Sequence, residues 1–152
     1  MREVADIQEL ATLAGQEIGA GEWLEVSQER INQFADATND HQWIHVDVER
    51  CKRESPFGTT IAHGFLTLSL IPGLTRLASC LKKTPKRTLN YGLNRVRFVT
   101  PVVAGSRVRA RVSLIEVTQE KRGWLARWQI TVEIEGQEKP ACVAETLSMY
   151  VP

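Results

Sequence analysis

The stretch "SRVRARVSLIEVT", residues 106–118, alternates regularly through its centre. Val108, Ala110, Val112 and Leu114 fall on one side, and Arg107, Arg109, Arg111 and Ser113 on the other. A period of two marks a strand with one face in a core and one in water. The neighbouring segments read the same way. "RTLNYGLNRVRFV" (87–99) comes before it, and the spacing of Leu93, Val96 and Phe98 suggests an alternation broken by a bulge. "PVVAG" (101–105) makes the turn between them. After the turn at "KRG" (121–123) comes "GWLARWQITVEIEG" (123–136), and "KPACVAETLSMYVP" (139–152) ends the chain. Strands joined by short turns predict an antiparallel sheet.

The first half of the chain has a different texture. "ADIQELATLA" (5–14) is a short helix candidate, and "GEWLEV" (21–26) a strand candidate. Ser27 is placed to cap a helix over "QERINQFADAT" (28–38), with Ile31, Phe34 and Ala35 on one face and Glu29 in the first turn. Thr38, Asn39 and Asp40 favour turn conformations and end it. Asp47 is placed to cap a short helix over "VERCKRE" (48–54), and "SPFGTT" (55–60) is a loop. A long apolar helix is expected from Gly64 towards Leu81, bent or broken at Pro72, with Lys82 and Lys83 at its end. One such helix and an antiparallel sheet make an α+β arrangement, the helix covering one sheet face.

A length of 152 residues suits one domain, 1–152, able to bury its own core. The net charge of +1 sets up no global field towards nucleic acid or a membrane surface, and neither is an expected partner. Cys51, Cys80 and Cys142 are odd in number and widely spaced, which argues against a disulfide framework and a structural zinc site. The first residues lack the apolar core of a secretory signal, and the apolar stretch around 64–81 is interrupted by Thr67, Ser69, Pro72 and Arg76. A cytoplasmic protein is expected.

All three histidines fall in one window: His41 and His45 in "ATNDHQWIHVDVERCK" (37–52), and His63 in "TTIAHGF" (59–65). Asp40 and His45 are five residues apart, off a common face of an ideal helix. In a loop they can converge, and an acid beside a neutral imidazole can hold one water and move its protons near neutral pH. Gly64 sits where a helix should begin, where backbone N–H groups lack partners and a glycine admits a ligand closely. Such an N–H can stabilise an enolate oxygen. Acid, base and oxyanion donor together suit proton chemistry next to a carbonyl.

Each of these residues also has a plainer reading. Asp40 fits a turn residue, and His45, between Ile44 and Val46, a core histidine. His41 and His45, four apart, would suit a metal on a helix, but "TND" breaks helix, and no metal or cofactor is expected. His63 is expected to be packed and His41 exposed. Trp43 fits either an acyl pocket or a core plug. Thr67 and Ser69 fit close helix packing. The arginines at 107, 109 and 111, with the basic "LKKTPKR" (81–87), fit either a solvated face or phosphate pairing.

"FADATNDHQWIHVD" (34–47), followed by "SPFGTTIAHGFLTLSL" (55–70), resembles the hydratase 2 motif of MaoC-like (R)-specific enoyl-CoA hydratases. The wording "DHQWIHVD" is most similar to the branch named after nodulation protein N, and "RVRFVTPVVAGSRVRARVSLIEV" (95–117) resembles the strand pair that comes after the helix there. The resemblance implies a hot-dog fold, a long central helix wrapped by an antiparallel β-sheet, and a homodimer. It implies hydration of a trans-2-enoyl-CoA thioester to the (R)-3-hydroxyacyl-CoA, with Asp40 and His45 activating water. The backbone N–H of Gly64 is the implied oxyanion donor, and Gln42, Trp43 and His63 the implied substrate-side neighbours. Coenzyme A enters only as part of the substrate. Many members carry Asn-Pro where this chain has Gln42 and Trp43, and many hydratases a serine at the position of Pro72. Those departures bear on acyl-chain preference and turnover. The alternatives are a hot-dog thioesterase, which often carries an acid on the long helix, and a non-catalytic acyl-thioester binder. Residues 64–81 contain no Asp or Glu, which weighs against the thioesterase.

Overall fold

The computed structural model describes residues 1–152, with the side chains of all but Ala78 and Ser79. The chain runs α1 (Ile7–Ala11), β1 (Glu17–Ala20), β2 (Leu24–Glu25), α2 (Gln28–Thr38), α3 (Trp43–Val46), α4 (Val48–Glu54), α5 (Gly64–Ser69), α6 (Ile71–Thr75), a 3₁₀ turn (Leu77–Cys80), then β3 (Arg87–Phe98), β4 (Arg107–Glu120), β5 (Gly123–Ile134) and β6 (Cys142–Val151). The strands form one antiparallel sheet in the order β1-β4-β5-β6-β3, with β2 also on β4. No helix among the described residues is long and apolar enough to cross a membrane.

The alternation read on residues 106–118 sets the inner face of the sheet. Val108, Ala110, Val112 and Leu114 are buried, opposite Ile134, Val132, Ile130 and Trp128 of β5. Burying a Val- or Leu-sized side chain is worth roughly 1.5–3 kcal/mol, so this double row is a main anchor of the core. The outer face explains the arginines. Arg107 pairs with Glu135 at 3.0 Å, Arg109 with Glu133 at 2.6 Å, and Arg111 with both Glu133 at 3.0 Å and Glu17 at 2.7 Å. Arg109 also lies over the Trp23 ring at 4.5 Å. Burial pushes the Glu133 carboxyl up, but its bonds to Arg109 and Arg111 outweigh that and hold it below its ordinary value. These three guanidinium groups are therefore engaged by acids.

The helix caps agree with the sequence. Ser27 Oγ accepts from the Arg30 N–H, and Asp47 Oδ1 from the Arg50 N–H. Asn39 ends α2 in the left-handed region at φ 57°, a conformation asparagine tolerates better than most side chains.

One expectation is met and one needs correction. The helix from Gly64 towards Leu81 is interrupted, as expected, and runs as α5, α6 and a 3₁₀ turn. Pro72 supplies no N–H to the ladder, Leu70 is the hinge between α5 and α6, and Arg76 at φ 45° ends α6. The strand expected over 21–26 is only the two-residue β2, and β1, unexpected, lies before it. β1 has one buried residue, Ile18, and a bulge between Glu17 and Gly19, so it gave no period to read. The bulging expected in 87–99 is present, with register shifts at Asn90/Gly92 and Leu93/Arg95. That strand lies at the sheet edge and is exposed along nearly its whole length.

The broken helix lies across the sheet at a point where Gly21 is required. A Cβ there would come within 1.9 Å of the Leu74 carbonyl oxygen on α6. Gly21→Ala is expected to lower stability by about 1–3 kcal/mol, the usual cost of overpacking, read as a lower urea midpoint with an unchanged m-value.

Candidate active site

The site is assembled from three chain segments. The end of α2 delivers Asp40: the N–H groups of Asn39 and Asp40 both donate to the Ala35 carbonyl, the latter at 3.1 Å. The four-residue α3 delivers His45, whose own N–H donates to the Gln42 carbonyl at 2.9 Å. Residues 60–64 deliver His63 and Gly64. Backbone bonds dock this third segment on its neighbours, Ile61 N–H to the Ile44 carbonyl at 3.1 Å and Ala62 N–H to the Val102 carbonyl at 2.7 Å.

Asp40, His45 and His63 come together, each offering a ring nitrogen or carboxylate oxygen within 4.8 Å of the others. His45 is 7% exposed and His63 3%, whereas the Asp40 side chain is 53% exposed. The carboxylate therefore faces solvent and the imidazole lies behind it. His45 Nδ1 is 2.7 Å from the Ile61 carbonyl oxygen. A carbonyl only accepts, so Nδ1 carries the proton and Nε2 keeps its lone pair. Burial lowers the His45 pKa from its ordinary 6.5, the bond to Ile61 raises it, and His63 and Asp40 act in opposite senses; the net shift is downwards. A neutral imidazole with a free Nε2 is a base near pH 7.

His63 has a supporting place. Its Nε2 lies 2.9 Å from the Asp40 main-chain oxygen and 3.9 Å from Oδ2, and its ring stacks on His45 at 3.8 Å between centroids and against Phe34 at 5.0 Å. The three groups are close enough to raise the question of a metal. The two rings, however, are inclined by only 23°, so their in-plane lone pairs run side by side rather than towards one centre, a poor start for a tetrahedral set.

The remaining expected residues divide. Gly64 opens α5, where the N–H groups have no intrahelical partner. A Cβ on it would meet the Phe98 ring at 2.9 Å, so it is glycine for space. Gln42 is exposed, and its N–H approaches Asp40 Oδ1 at 3.4 Å. Trp43 is half-buried beneath the Arg50 guanidinium, 4.1 Å from the ring centroid. His41 is exposed and bonded to Asp36 at 2.7 Å. Ser69 bonds back to the Phe65 carbonyl at 2.7 Å. A cavity of about 580 Å³ opens further along α5, lined by Leu68, Ile71, Pro72, Leu93 and Leu147 among others. It contains neither Asp40 nor His45 and begins one helical turn beyond Gly64.

Sequence reasoning missed Ile61 and Gln28. Ile61 acts through its carbonyl, and a main-chain acceptor leaves no mark on residue type. Gln28 bonds the His45 carbonyl at 2.8 Å from seventeen residues away, and nothing local to position 28 reveals that contact.

Comparison with known proteins adds a family. Residues 9–133 match the MaoC like domain. The chain is 51% identical over 152 residues to 3-hydroxyacyl-thioester dehydratase Z of Mycobacterium tuberculosis (strain ATCC 25618 / H37Rv), covering 99% of each protein. It is 50% identical over 138 residues to nodulation protein N of Rhizobium leguminosarum bv. viciae, covering 89% of this chain and 84% of that one. The (R)-hydratase from A. caviae involved in PHA biosynthesis superposes with a TM-score of 0.73 at 22% identity, over 91% of this chain and 96% of the other, a likeness of hot-dog fold. The chain belongs to the MaoC-like dehydratase family and is an enzyme of the hydro-lyase class.

Proposed function

We propose that this enzyme reversibly hydrates a trans-2-enoyl-CoA to the (R)-3-hydroxyacyl-CoA, using Asp40 and His45 to activate the water. The observation that carries the reading is the pairing of a solvent-facing Asp40 carboxylate with a buried, neutral His45 whose Nδ1 is held by Ile61. Groups whose ligating atoms lie within 4.8 Å of one another are close enough to share one bridging water. His45 Nε2 takes a proton as the water oxygen bonds to C3. The C2–C3 π pair shifts to C1–C2 and the carbonyl π pair to the thioester oxygen, giving an enolate towards which the Gly64 N–H can donate. The enolate collapses as C2 receives a proton from the dyad. No metal or cofactor takes part in this scheme.

The acyl chain is read as leaving Gly64 along α5 into the cavity of about 580 Å³, a size within the range of about 300–1,000 Å³ usual for small-molecule sites. Arg95 and Arg97, which make no ion pair among the described residues, lie towards the Gly64 end of β3 and suit the phosphates of coenzyme A. β3 leaves Leu89, Tyr91, Leu93 and Phe98 exposed on an edge strand, and we read a second copy of the chain as its cover. Three free cysteines fit a cytoplasmic setting.

Loss of the conjugated enoyl absorbance of crotonyl-CoA and of longer enoyl-CoAs, with chiral analysis of the product, tests the activity directly. Asp40→Asn and His45→Ala are each expected to lower kcat by about 10²–10⁴-fold, the usual worth of general acid–base catalysis. No turnover by the unaltered enzyme on any chain length sinks the reading, and release of free CoA points to hydrolysis instead.

The depressed His45 pKa fixes the sign of the pH response. The base stays neutral below its ordinary 6.5, so the acid limb of kcat/KM for hydration is expected to fall below that value. Stability shares the direction. The contribution of the neutral imidazole is full above 6.5 and is lost as pH falls through the lower folded value. An acid limb above 6.5, or one unchanged in His45→Ala residual activity, contradicts the assignment.

Gly64→Ala is expected to push the Phe98 ring out and cut kcat by at least about tenfold while the protein stays folded, since small misplacements in a site are costly. Phe98→Ala in the same chain is expected to recover part of that loss.

A further inference from the structure

We infer that Gln28 is a positioning residue for His45, acting through the main chain and touching no substrate; the inference rests on the reading of His45 as the base. Gln28 is the first residue of α2, placed directly after the Ser27 cap, and is half-buried. Its amide is fully engaged. Nε2 donates to the His45 carbonyl at 2.8 Å and to Asn32 Oδ1 at 2.8 Å, while Oε1 accepts from the Thr60 hydroxyl. The His45 carbonyl can only accept, so the amide has one orientation and Thr60 must donate. Thr60 is buried, 1% exposed.

The placement of these partners is what matters. One is the residue that carries the imidazole. The other immediately precedes Ile61, whose carbonyl takes the Nδ1–H of that same imidazole. Gln28 therefore ties together, from a third segment, the two pieces of chain whose relative position decides where Nε2 points and which tautomer His45 holds. The direct ties between the pieces are few: the ring bond itself, Ile61 N–H to the Ile44 carbonyl at 3.1 Å, and the stack of His63 on His45. Loss of the amide leaves a buried hydroxyl and a carbonyl without partners, and they can be satisfied only if the segments shift. A shift of about 1 Å in a catalytic group costs on the order of 10²-fold in rate.

Only a group with one donor and one acceptor at its tip can bridge a carbonyl and a hydroxyl that has to donate. An ionised glutamate cannot, because it faces the His45 carbonyl with like partial charge. A protonated one can, since its O–H replaces the amide N–H. That difference gives a readout that packing alone would not move.

Kinetics on crotonyl-CoA from about pH 6 to pH 8 would compare the unaltered enzyme with Gln28→Met, which keeps length and loses both bonds, and Gln28→Glu. Gln28→Met is expected to lose about 10–100-fold in kcat with KM changed less than about threefold. Gln28→Glu is expected to be as impaired at high pH, its ratio to the unaltered enzyme climbing at least about fivefold towards low pH. The nitrogen-15 signals of the His45 ring are expected to move from one tautomer to a mixture in Gln28→Met. A Gln28→Met kcat within about twofold of normal overturns the inference, as does a Gln28→Glu ratio flat with pH. If Gln28→Met does not fold, the Gln28→Glu ratio decides alone. If the unaltered enzyme hydrates nothing, the hydratase reading fails separately, and the ring signals judge Gln28: a tautomer mixture upholds its role and unchanged signals reject it.

Discussion

A single hydrogen bond, from His45 Nδ1 to the Ile61 carbonyl at 2.7 Å, ties the site together. It fixes the proton on one ring nitrogen and leaves the other free, and it stitches α3 to the segment that leads into α5. Through that segment it also sets where His63 stacks and where Gly64 begins the helix. The site is thus made by docking three short pieces on one another rather than by displaying residues from a rigid element. Pieces this short gain little from helix propensity. They hold through bonds to one another and to the loop before β4, as Ile61 N–H to the Ile44 carbonyl and Ala62 N–H to the Val102 carbonyl show.

How far the sequence disclosed this depends on the kind of information each feature leaves in residue type. The sheet was legible because half-burial imposes a period of two, and Val108 to Leu114 carry it without interruption. Helix starts were legible because caps need particular side chains, as Ser27 and Asp47 do. The turn that releases Asp40 towards His45 was legible because asparagine at 39 takes the left-handed conformation. Main-chain acceptors and distant amides were not, since the Ile61 carbonyl would be there whatever side chain stood at 61. β1 was not legible because Gly19, at φ 137°, and a bulge erase its alternation. The expectation that Asp40 and His45 act as partners came from motif resemblance; spacing alone allowed convergence without requiring it.

The arginines on β4 show how a sequence can leave the role of charge open. Three same-sign residues on one strand face fit either a solvated face or a phosphate-binding stripe. Their cross-strand partners favour the first, because Glu133 and Glu135 stand on or just after β5 and Glu17 on β1, within 2.6–3.1 Å. Cross-strand neighbours decide what a strand face is for, and those neighbours lie far away in sequence. The outer face is a ladder of paired charges, and any group that meets an anionic substrate has to be sought elsewhere.

The break at Leu70 and Pro72 separates two jobs that a continuous helix would have coupled. Dipole effects fade within a turn or so of a helix end, so Gly64 relies on its local N–H groups and not on how far the helix extends beyond it. The segment that lines the cavity, from Leu68 through Pro72 to Leu77, can therefore change its tilt and side chains without altering the electrostatics at Gly64. On the proposed reading, a substitution there would reshape the space for the acyl chain without touching Asp40, His45 or Gly64, which would give the fold a way to diverge in chain-length preference around an unchanged reaction.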